Sequence, residues 1–182
     1  MKKGTLVVWI TKGDDRMSDF ALALQGVDNQ HLTRYKEGNF GQYDGEGKYP
    51  LILVGHANEE NFITDYSGWK TYEKASSVAS KLVSWGLTPS RFACVLVAGC
   101  KGAGKLSTEG LYIDLGDEIE LPVTASSTTV SMALSDGNIS LTPQDSGEWK
   151  VYFPSEGTVY KLNTTRSSDV SNAIGSSIFQ CV

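Results

Sequence analysis

The amino-acid sequence predicts an α/β fold with a mostly parallel central sheet that is flanked by helices and followed by a late antiparallel hairpin. Uninterrupted apolar runs indicate strands that are covered on both faces, which is typical of parallel sheets. The runs are Leu6–Ile10, Tyr49–Val54 and Phe92–Ala98. Between the last two, apolar residues recur every three or four positions from Trp69 to Trp85, which predicts a crossover helix that ends at Gly86. Strands that alternate with helices favour parallel pairing.

Weaker patterns supply the remaining elements. In chain order, we expect a helix at Ser18–Gln25, a short strand at Leu32–Tyr35, a glycine-rich loop at Glu37–Lys48, a helix within Lys105–Glu120, a strand at Leu121–Thr129 and a terminal helix at Ser167–Phe179. The late hairpin is predicted to pair Asn138–Leu141 with Trp149–Phe153. A chain of 182 residues is long enough for one domain with a full core, so we expect residues 1–182 to form a single domain.

The composition is that of an ordinary globular protein, with 40% hydrophobic and 20% charged residues. A net charge of −5 argues against nucleic-acid binding, which requires clustered Lys and Arg. No apolar run approaches the roughly 20 residues that span a bilayer, and Leu6–Ile10 is too short for a signal peptide. We therefore expect a chain without a membrane span that is cytoplasmic as synthesised. Secretion or injection by a non-classical route leaves no mark in a sequence.

The cysteines and histidines do not form a metal site or a disulfide framework. Cys94 and Cys100 lie in one predicted strand, about 20 Å apart at ~3.3 Å per residue. A disulfide needs Cα atoms within about 7 Å, so these two cannot bridge each other. The sequence contains no CxxC or HExxH spacing, and its imidazoles are His31 and His56 alone. We predict free thiols, no metal and no cofactor.

Two of the predicted strands end on reactive side chains. The segment Tyr49–His56 reads YPLILVGH, and Phe92–Cys100 reads FACVLVAGC. Ligands of parallel sheets bind beyond the carboxyl ends of the strands, and adjacent strands lie about 4.8 Å apart. A thiol with an imidazole within reach is the arrangement that nucleophilic catalysis by cysteine requires. The sequence therefore predicts a Cys–His site at one edge of the sheet.

The order and spacing of these two motifs resemble the caspase-like cysteine peptidases of clan CD. In that group an apolar strand ends in His, a crossover helix follows, and a second apolar strand ends in a Cys preceded by small residues. The segments LPVTASSTT and GEWKVYFP look most like the toxin-type autoprocessing protease domains of bacteria, which would make the chain a bacterial effector. The resemblance covers roughly residues 5–154. It implies a caspase-like three-layer sandwich and a thiol protease, a hydrolase of peptide bonds.

The resemblance also implies roles for individual residues. His56 matches the general base of the family and Cys100 its nucleophile, while the backbone N–H groups of Cys100 and Ala57 would hold the oxyanion. The family usually has Gly directly after this His, whereas Ala57 stands here. A third group that orients the histidine is not apparent. The loop after the first strand and the strand after the nucleophile would bind substrate, through Asp14, Asp15, Arg16, Ser126 and Ser127.

The expected partner is a protein or peptide substrate, and both self-processing and a homodimer stay open. Two alternatives compete with a peptidase. One is a catalytically inactive binding module on the same fold, for which Ala57 would be a sign of decay. The other is nucleotide binding, because Gly99–Lys105 reads GCKGAGK and nearly matches the phosphate-binding pattern GxxxxGK[ST]. Leu106 then stands where that pattern requires Ser or Thr.

Overall fold

The computed structural model describes residues 6–17, 19, 31–34, 38, 40, 49–104, 109–135 and 138–161. Helix α1 spans Ala75–Ser84, and helix α2 spans Leu111–Ile119. The strands are β1 Leu6–Trp9, β2 His31–Arg34, β3 Tyr49–Val54, β4 His56–Ala57, β5 Asn61–Asp65, β6 Thr71–Lys74, β7 Phe92–Ala98, β8 Val123–Ser126, β9 Val130–Ser135, β10 Asn138–Pro143, β11 Trp149–Phe153 and β12 Thr158–Lys161.

The central sheet has seven strands in the order β12-β11-β8-β7-β3-β1-β2. Its five strands from β8 to β2 pair in parallel, whereas β11 is antiparallel to both β8 and β12. The prediction of a mixed α/β fold with a mostly parallel central sheet is therefore confirmed. The chain moves from β1 outward to β2 on one side and to β3, β7 and β8 on the other. Such a reversal of strand order is where open α/β sheets bind ligands.

The core explains why the apolar runs are continuous. Leu51, Leu53, Val95 and Val97 belong to one buried cluster together with the apolar residues of α1 and α2. Their alternate neighbours on β3 and β7 face the other side of the sheet. Those neighbours are buried as well, with exposed fractions of 0–3%. The two central strands are thus covered on both faces, as parallel strands are.

Helix α1 covers the sheet with one face, formed by Ala75, Val78, Ala79 and Leu82. The spacing of three and four residues aligns these side chains along one stripe. The helix ends in a Schellman motif, in which Gly86 N–H donates to Val83 C=O at 2.9 Å and Leu87 N–H donates to Leu82 C=O at 3.0 Å. Gly86 has φ +102°, which glycine adopts without steric cost. The predicted end of this helix is confirmed.

The predicted beginning of α1 at Trp69 is wrong. Residues 71–74 form β6, which pairs antiparallel with β5, and the helix begins only at Ala75. Trp69 and Tyr72 are 97% and 52% exposed, so they do not belong to the buried stripe of the helix. Their helical spacing was coincidental, because Trp69 lies in the five-residue tip between the paired residues Asp65 and Thr71, and Tyr72 lies in β6.

The predicted late hairpin is also wrong in its pairing. Asn138–Pro143 pairs with Val130–Ser135 in a separate two-stranded sheet. Trp149–Phe153 instead joins the central sheet between β8 and β12. The run Leu121–Thr129, predicted to be a single strand, forms only β8, since the chain turns after Ser126 and β9 begins at Val130. Two antiparallel hairpins, β9–β10 and β11–β12, therefore stand where the sequence indicated one.

Other predictions are confirmed or lie beyond this part of the chain. The short strand predicted at Leu32–Tyr35 is β2, and the helix expected within Lys105–Glu120 is α2. The glycine-rich loop, the terminal helix and nearly all of the helix at Ser18–Gln25 lie outside the described residues. No helix in the described part of the chain is long and apolar enough to cross a membrane.

Adjacent residues of α1 provide a test of the core. We expect Leu82→Ala to lower the free energy of unfolding by about 2–5 kcal/mol, because the Leu82 side chain is fully buried between helix and sheet. Val83 is 47% exposed on the same turn. The control Val83→Ala should change stability by less than about 0.5 kcal/mol. Urea denaturation followed by circular dichroism measures both, and equal losses would contradict this packing.

Candidate active site

The carboxyl ends of β3 and β7 bring His56 and Cys100 to the same edge of the sheet. The two strands are parallel neighbours, and Val54 pairs with Ala98 in their register. His56 follows Val54 by two residues, and Cys100 follows Ala98 by two residues. The residues that the sequence singled out therefore occupy equivalent positions just beyond the ends of adjacent strands.

The neighbours of the two residues indicate on which face each one lies. Ala57 belongs to the buried cluster under α1 and α2, so His56, one residue earlier in β4, faces away from that cluster. Cys100 lies two residues beyond the end of β7, and a Cβ on the preceding Gly99 would lie 3.2 Å from the Cβ of Ala57. We therefore expect the Cys100 side chain to face away from Ala57 as well. His56 and Cys100 are both partly exposed, and Cys100 is a free thiol.

Glycine precedes each reactive residue because the backbones there approach closely. A Cβ on Gly99 would lie 2.7 Å from the carbonyl oxygen of Gly55 and 3.2 Å from the Cβ of Ala57. A Cβ on Gly55 would lie 2.5 Å from the hydroxyl oxygen of Thr11. Contacts below 3.0 Å with backbone atoms require the backbone to shift. The dipeptides Gly-His and Gly-Cys are thus what allows the ends of β1, β3 and β7 to converge.

Asp14 binds the histidine ring. The Nε2 atom of His56 lies 2.8 Å from Oδ2 of Asp14, and the side chain of Asp14 is only 7% exposed. The hydrogen bond from His56 holds the pKa of Asp14 below its ordinary value of 3.8, although burial of the carboxyl group opposes this shift. The carboxylate also accepts the backbone N–H of Arg16 at 3.0 Å. Asp14 is therefore ionised at neutral pH and accepts the Nε2 proton.

This pairing determines which nitrogen of His56 is available for chemistry. In the neutral ring one nitrogen carries the proton and the other has a lone pair. Because the Asp14 carboxylate can only accept, the proton resides on Nε2 and the lone pair on Nδ1. Within the described residues, Nδ1 has no hydrogen-bond partner. It is the nitrogen that can accept a proton from a thiol.

Thr11 fixes the backbone of the histidine. The His56 N–H donates to Oγ1 of Thr11 at 2.7 Å, and that hydroxyl donates to the carbonyl of Ile63 at 2.5 Å. His56 and Ile63 are opposite residues of β4 and β5, so the hydroxyl bridges the two strands at this pair. Thr11 is fully buried. Thr11 links the end of β1 to β4 and β5 through the backbone of the residue that carries the imidazole.

Tyr66 forms an aromatic wall beside the imidazole. Its ring stacks on the His56 ring with centroids 4.7 Å apart and an interplanar angle of 29°. The ammonium of Lys70 lies 4.6 Å from the centroid of the Tyr66 ring, a cation–π contact. The ring of His56 is thus held by Asp14 at its edge and by Tyr66 at its face.

The loop that follows Cys100 is bound to neighbouring strands. Lys101 has φ +58°, and its N–H donates to the carbonyl of Thr128 at 2.9 Å. The N–H of Ala103 donates to the carbonyl of Ser126 at 3.0 Å. From β11, the buried Lys150 donates through Nζ to the carbonyl of Gly104 at 3.3 Å, and burial lowers the pKa of this ammonium below its ordinary value. These contacts hold the loop against β8 and β11.

Two backbone N–H groups, those of Ala57 and Cys100, are predicted to hold an oxyanion. Asn58 N–H donates to Asn61 C=O at 2.9 Å, so by alternation Ala57 and Phe62 form a non-hydrogen-bonded pair, and the Ala57 N–H points away from β5. A Cβ on Gly99 would lie 3.5 Å from that nitrogen, which puts it on the β7 side. The Cys100 N–H has no acceptor among the residues that the structure describes. Ala57 does not have a positive φ, so its Cβ causes no left-handed backbone strain.

The predicted substrate-binding residues differ in accessibility. Asp14 is turned inward to His56, whereas Asp15 and Arg16 are exposed beside it. The Nε of Arg16 lies 3.6 Å from Oδ1 of Asp14. Ser126 is fully buried, and its hydroxyl accepts the Thr128 N–H at 3.2 Å. Ser127 is partly exposed and accepts the Glu148 N–H at 3.0 Å. The structure thus leaves Asp15, Arg16 and Ser127, but not Asp14 or Ser126, open to a ligand.

Asp14, Thr11 and Tyr66 are the residues of this site whose roles sequence reasoning missed. A signal existed for Asp14 and Thr11, because both follow a strand that was predicted to lie in the same sheet as β3. The sequence did not show that β1 and β3 are neighbours. No local pattern marks Tyr66, which reaches His56 from a hairpin whose second strand the sequence predicted to be helical.

The described residues give no support to a metal centre or a phosphate loop. They contain no group of three His, Cys, Asp or Glu side chains that could hold a metal ion. In the GCKGAGK segment, the N–H groups of Lys101, Ala103 and Gly104 donate to protein carbonyls, whereas a phosphate loop directs such groups at the anion. Lys105 lies outside the described part of the chain.

Comparison with protein-family models and with curated proteins finds no match for this chain.

The Asp14–His56 pair predicts a pH-dependent stability. The pKa of Asp14 is depressed in the folded state, so its ionised form stabilises the fold fully above pH 3.8 and less as the pH falls through the folded-state pKa. We expect Asp14→Asn to destabilise the protein at pH 7 and to cost progressively less below about pH 3.8. Its exposed neighbour supplies the control Asp15→Asn. Denaturation at a series of pH values measures the difference, and a constant cost down to pH 2 would contradict the pairing.

Proposed function

We propose that this protein is a cysteine endopeptidase in which Cys100 is the nucleophile and His56 transfers the protons. One observation supports this above all others. A histidine that is bonded through Nε2 to a buried carboxylate lies at the same sheet edge, and at the same register position, as a partly exposed free cysteine on the adjacent strand. Cysteine–histidine catalysis requires these groups on rigid supports.

The proposal includes membership of the caspase-like peptidases and their three-layer sandwich. The mostly parallel sheet, the helix between β3 and β7 and the two strand ends agree with the features that carry the resemblance. The one departure from the family pattern is Ala57 in place of Gly. Because Ala57 does not have a positive φ, this replacement is only a weak argument for an inactive protein.

The first chemical step forms an acyl-enzyme. The Nδ1 atom of His56 accepts the proton of the Cys100 thiol, and the thiolate attacks the carbonyl carbon of the scissile peptide bond. The electron pair of the carbonyl moves onto its oxygen, which the N–H groups of Cys100 and Ala57 stabilise. When this intermediate collapses, the C–N bond breaks, and His56 gives its proton to the leaving amine.

The second step regenerates the enzyme. A water molecule gives a proton to Nδ1 of His56 and attacks the thioester. The C–S bond then breaks, the sulfur recovers a proton from His56, and the new carboxyl terminus leaves. Every proton passes through the single nitrogen that Asp14 leaves available.

Asp14 acts as the positioning residue in this scheme. Its carboxylate holds the proton on Nε2 and stabilises the imidazolium that forms when Nδ1 accepts a second proton. The ring therefore does not need to change its tautomer or rotate between the two steps. Sequence reasoning assigned no residue to this role and expected Asp14 to contact substrate.

The inactive binding module and the nucleotide-binding protein stay as alternatives that experiments distinguish. A binding module would retain a partner after Cys100→Ala but would release no cleavage product. A nucleotide-binding protein would hydrolyse ATP or GTP in a manner that depends on Lys105 and not on Cys100. The bonding of the GCKGAGK backbone to β8 argues against the second alternative.

A thiol-directed acyl probe tests the nucleophile. We expect covalent labelling of Cys100, complete loss of that label in Cys100→Ala, and at least a tenfold slower rate in His56→Ala, because the neutral thiol reacts poorly. Intact-protein mass spectrometry and peptide mapping measure the label. The control Cys94→Ala should label normally, since Cys94 is a buried thiol. Equal labelling of all variants would remove the peptidase proposal.

The role of Asp14 has a separate kinetic test. We expect Asp14→Asn to lower kcat by roughly 10²-fold or more, because the imidazolium loses its counter-charge, with a much smaller change in KM. Asp15→Asn should stay within about twofold in kcat, since its carboxylate does not contact His56. Steady-state cleavage of a peptide library across pH 5–9 measures both constants. Similar kcat values for the two variants would show that the carboxylate at Asp14 plays no part in turnover.

A further inference from the structure

We propose that the tip of the β5–β6 hairpin, residues 66–70, binds an apolar side chain of the polypeptide substrate next to the scissile bond, with Trp69 as the anchor. This inference rests on the proposed peptidase function and specifies the class of substrate that the site accepts. It depends on three features of the tip: its exposed tryptophan, its attachment to the site, and the small area that it offers.

Trp69 is 97% exposed, and Tyr72 near it is 52% exposed. A large aromatic side chain buries 150–250 Å² when it is covered, so leaving one almost fully in water forgoes a large stabilisation. Tryptophan is also the residue type that most often dominates binding energies at interfaces. An exposed tryptophan at the tip of a short hairpin therefore indicates a contact made with another molecule.

The tip is continuous with the candidate active site. Tyr66, its first residue, stacks on His56, and Lys70, its last residue, approaches the same tyrosine ring at 4.6 Å. Trp69 is three residues from Tyr66, so its Cα lies within about 10 Å of that of Tyr66. In the proposed complex, Trp69 contacts a side chain within a few residues of the scissile bond that Cys100 and His56 hold.

The tip is also held in place by the loop that carries Asp14. Lys12 N–H donates to Thr64 C=O at 3.2 Å, and Tyr66 N–H donates to Lys12 C=O at 2.8 Å. The ammonium of Lys12 forms an ion pair with Asp65 at 2.9 Å. Gly13 has φ +80°, and a Cβ there would lie 2.6 Å from the nitrogen of Ser67. Trp69 is thus presented to solvent on a well-supported turn, so its binding costs little ordering of the backbone.

Two other occupants fit the tip less well. A stable interface between two copies buries about 800 Å² on each, which one tryptophan and half a tyrosine cannot supply. A membrane surface that carries anionic lipids attracts basic proteins, whereas this chain has a net charge of −5. A single apolar side chain of a peptide can be covered by one aromatic residue, and Trp69 offers an area of that size.

Two matched peptide libraries test the proposal. Each member of the first carries one Leu or Phe at a position near the middle, and each member of the second carries Ser or Asn there. We expect the native protein to cleave the apolar library with the higher kcat/KM. We expect Trp69→Ala to lower kcat/KM for that library at least tenfold, mainly through KM, and to remove the preference. Trp69→Phe should retain most of the preference, because phenylalanine keeps an aromatic face.

The control is Tyr160→Ala, which removes a 47% exposed aromatic side chain from β12, an edge strand of the central sheet, whereas the tip belongs to the separate β4–β5–β6 sheet. It should leave the preference for the apolar library unchanged. Thermal unfolding of each variant confirms that the fold is intact. Labelling of Cys100 by the acyl probe is measured in parallel, and in Trp69→Ala the loss of apolar-library cleavage should exceed any loss of labelling.

Each other outcome would overturn the inference in a distinguishable way. If the native protein does not label at Cys100 and cleaves neither library, the peptidase proposal fails and the inference fails with it. If Cys100 labels and both libraries are cleaved, but Trp69→Ala keeps the preference, the inference fails alone. Trp69-dependent sedimentation with vesicles of phosphatidylcholine and phosphatidylglycerol, or a Trp69-dependent dimer in sedimentation velocity, would assign the tip to a lipid or to a second copy instead.

Discussion

The close contact between the ends of β1, β3 and β7 is the constraint on which the candidate site depends. A Cβ on Gly99 would lie 2.7 Å from the carbonyl oxygen of Gly55, and a Cβ on Gly55 would lie 2.5 Å from the hydroxyl oxygen of Thr11. The convergence brings Thr11 onto the backbone of His56 and brings the loop of Asp14 onto its ring. If either glycine acquired a methyl group, the strand ends would have to separate, and the imidazole and the thiol would lose their common register.

The burial of Asp14 raises a question of energetics. A carboxylate that leaves water loses solvation, and only specific partners repay that loss. Asp14 obtains them from His56 Nε2 and from the Arg16 N–H. If His56 were lost, the carboxylate would keep only the backbone partner and the distant Nε of the exposed Arg16. Orientation of the histidine and stability of the loop after β1 are therefore coupled through one hydrogen bond.

Sequence reasoning predicted the parallel part of the sheet because burial on both faces leaves an unmistakable run of apolar residues, as at Leu51–Val54. It located His56 and Cys100 for the same reason, since each ends such a run. It failed at Trp69–Tyr72, where an exposed hairpin showed apolar residues at helical spacing by chance. It could not identify Asp14 or Tyr66 as partners of His56. These contacts depend on the order of strands in the sheet and on the pairing of the β5–β6 hairpin, and no local sequence pattern encodes either.

Two of the hairpins are joined to the strands that flank β7. The β5–β6 hairpin is connected to the end of β3, and the β9–β10 hairpin follows the end of β8, on the two sides of β7. Strands are spaced about 4.8 Å apart, so β3 and β8 stand roughly 10 Å from each other. An α-helix with its side chains is about 10–12 Å wide. For the proposed peptidase, we therefore expect a target to be recognised by its local conformation as well as its residues: stretches without secondary structure would be cut, and intact domains would be spared.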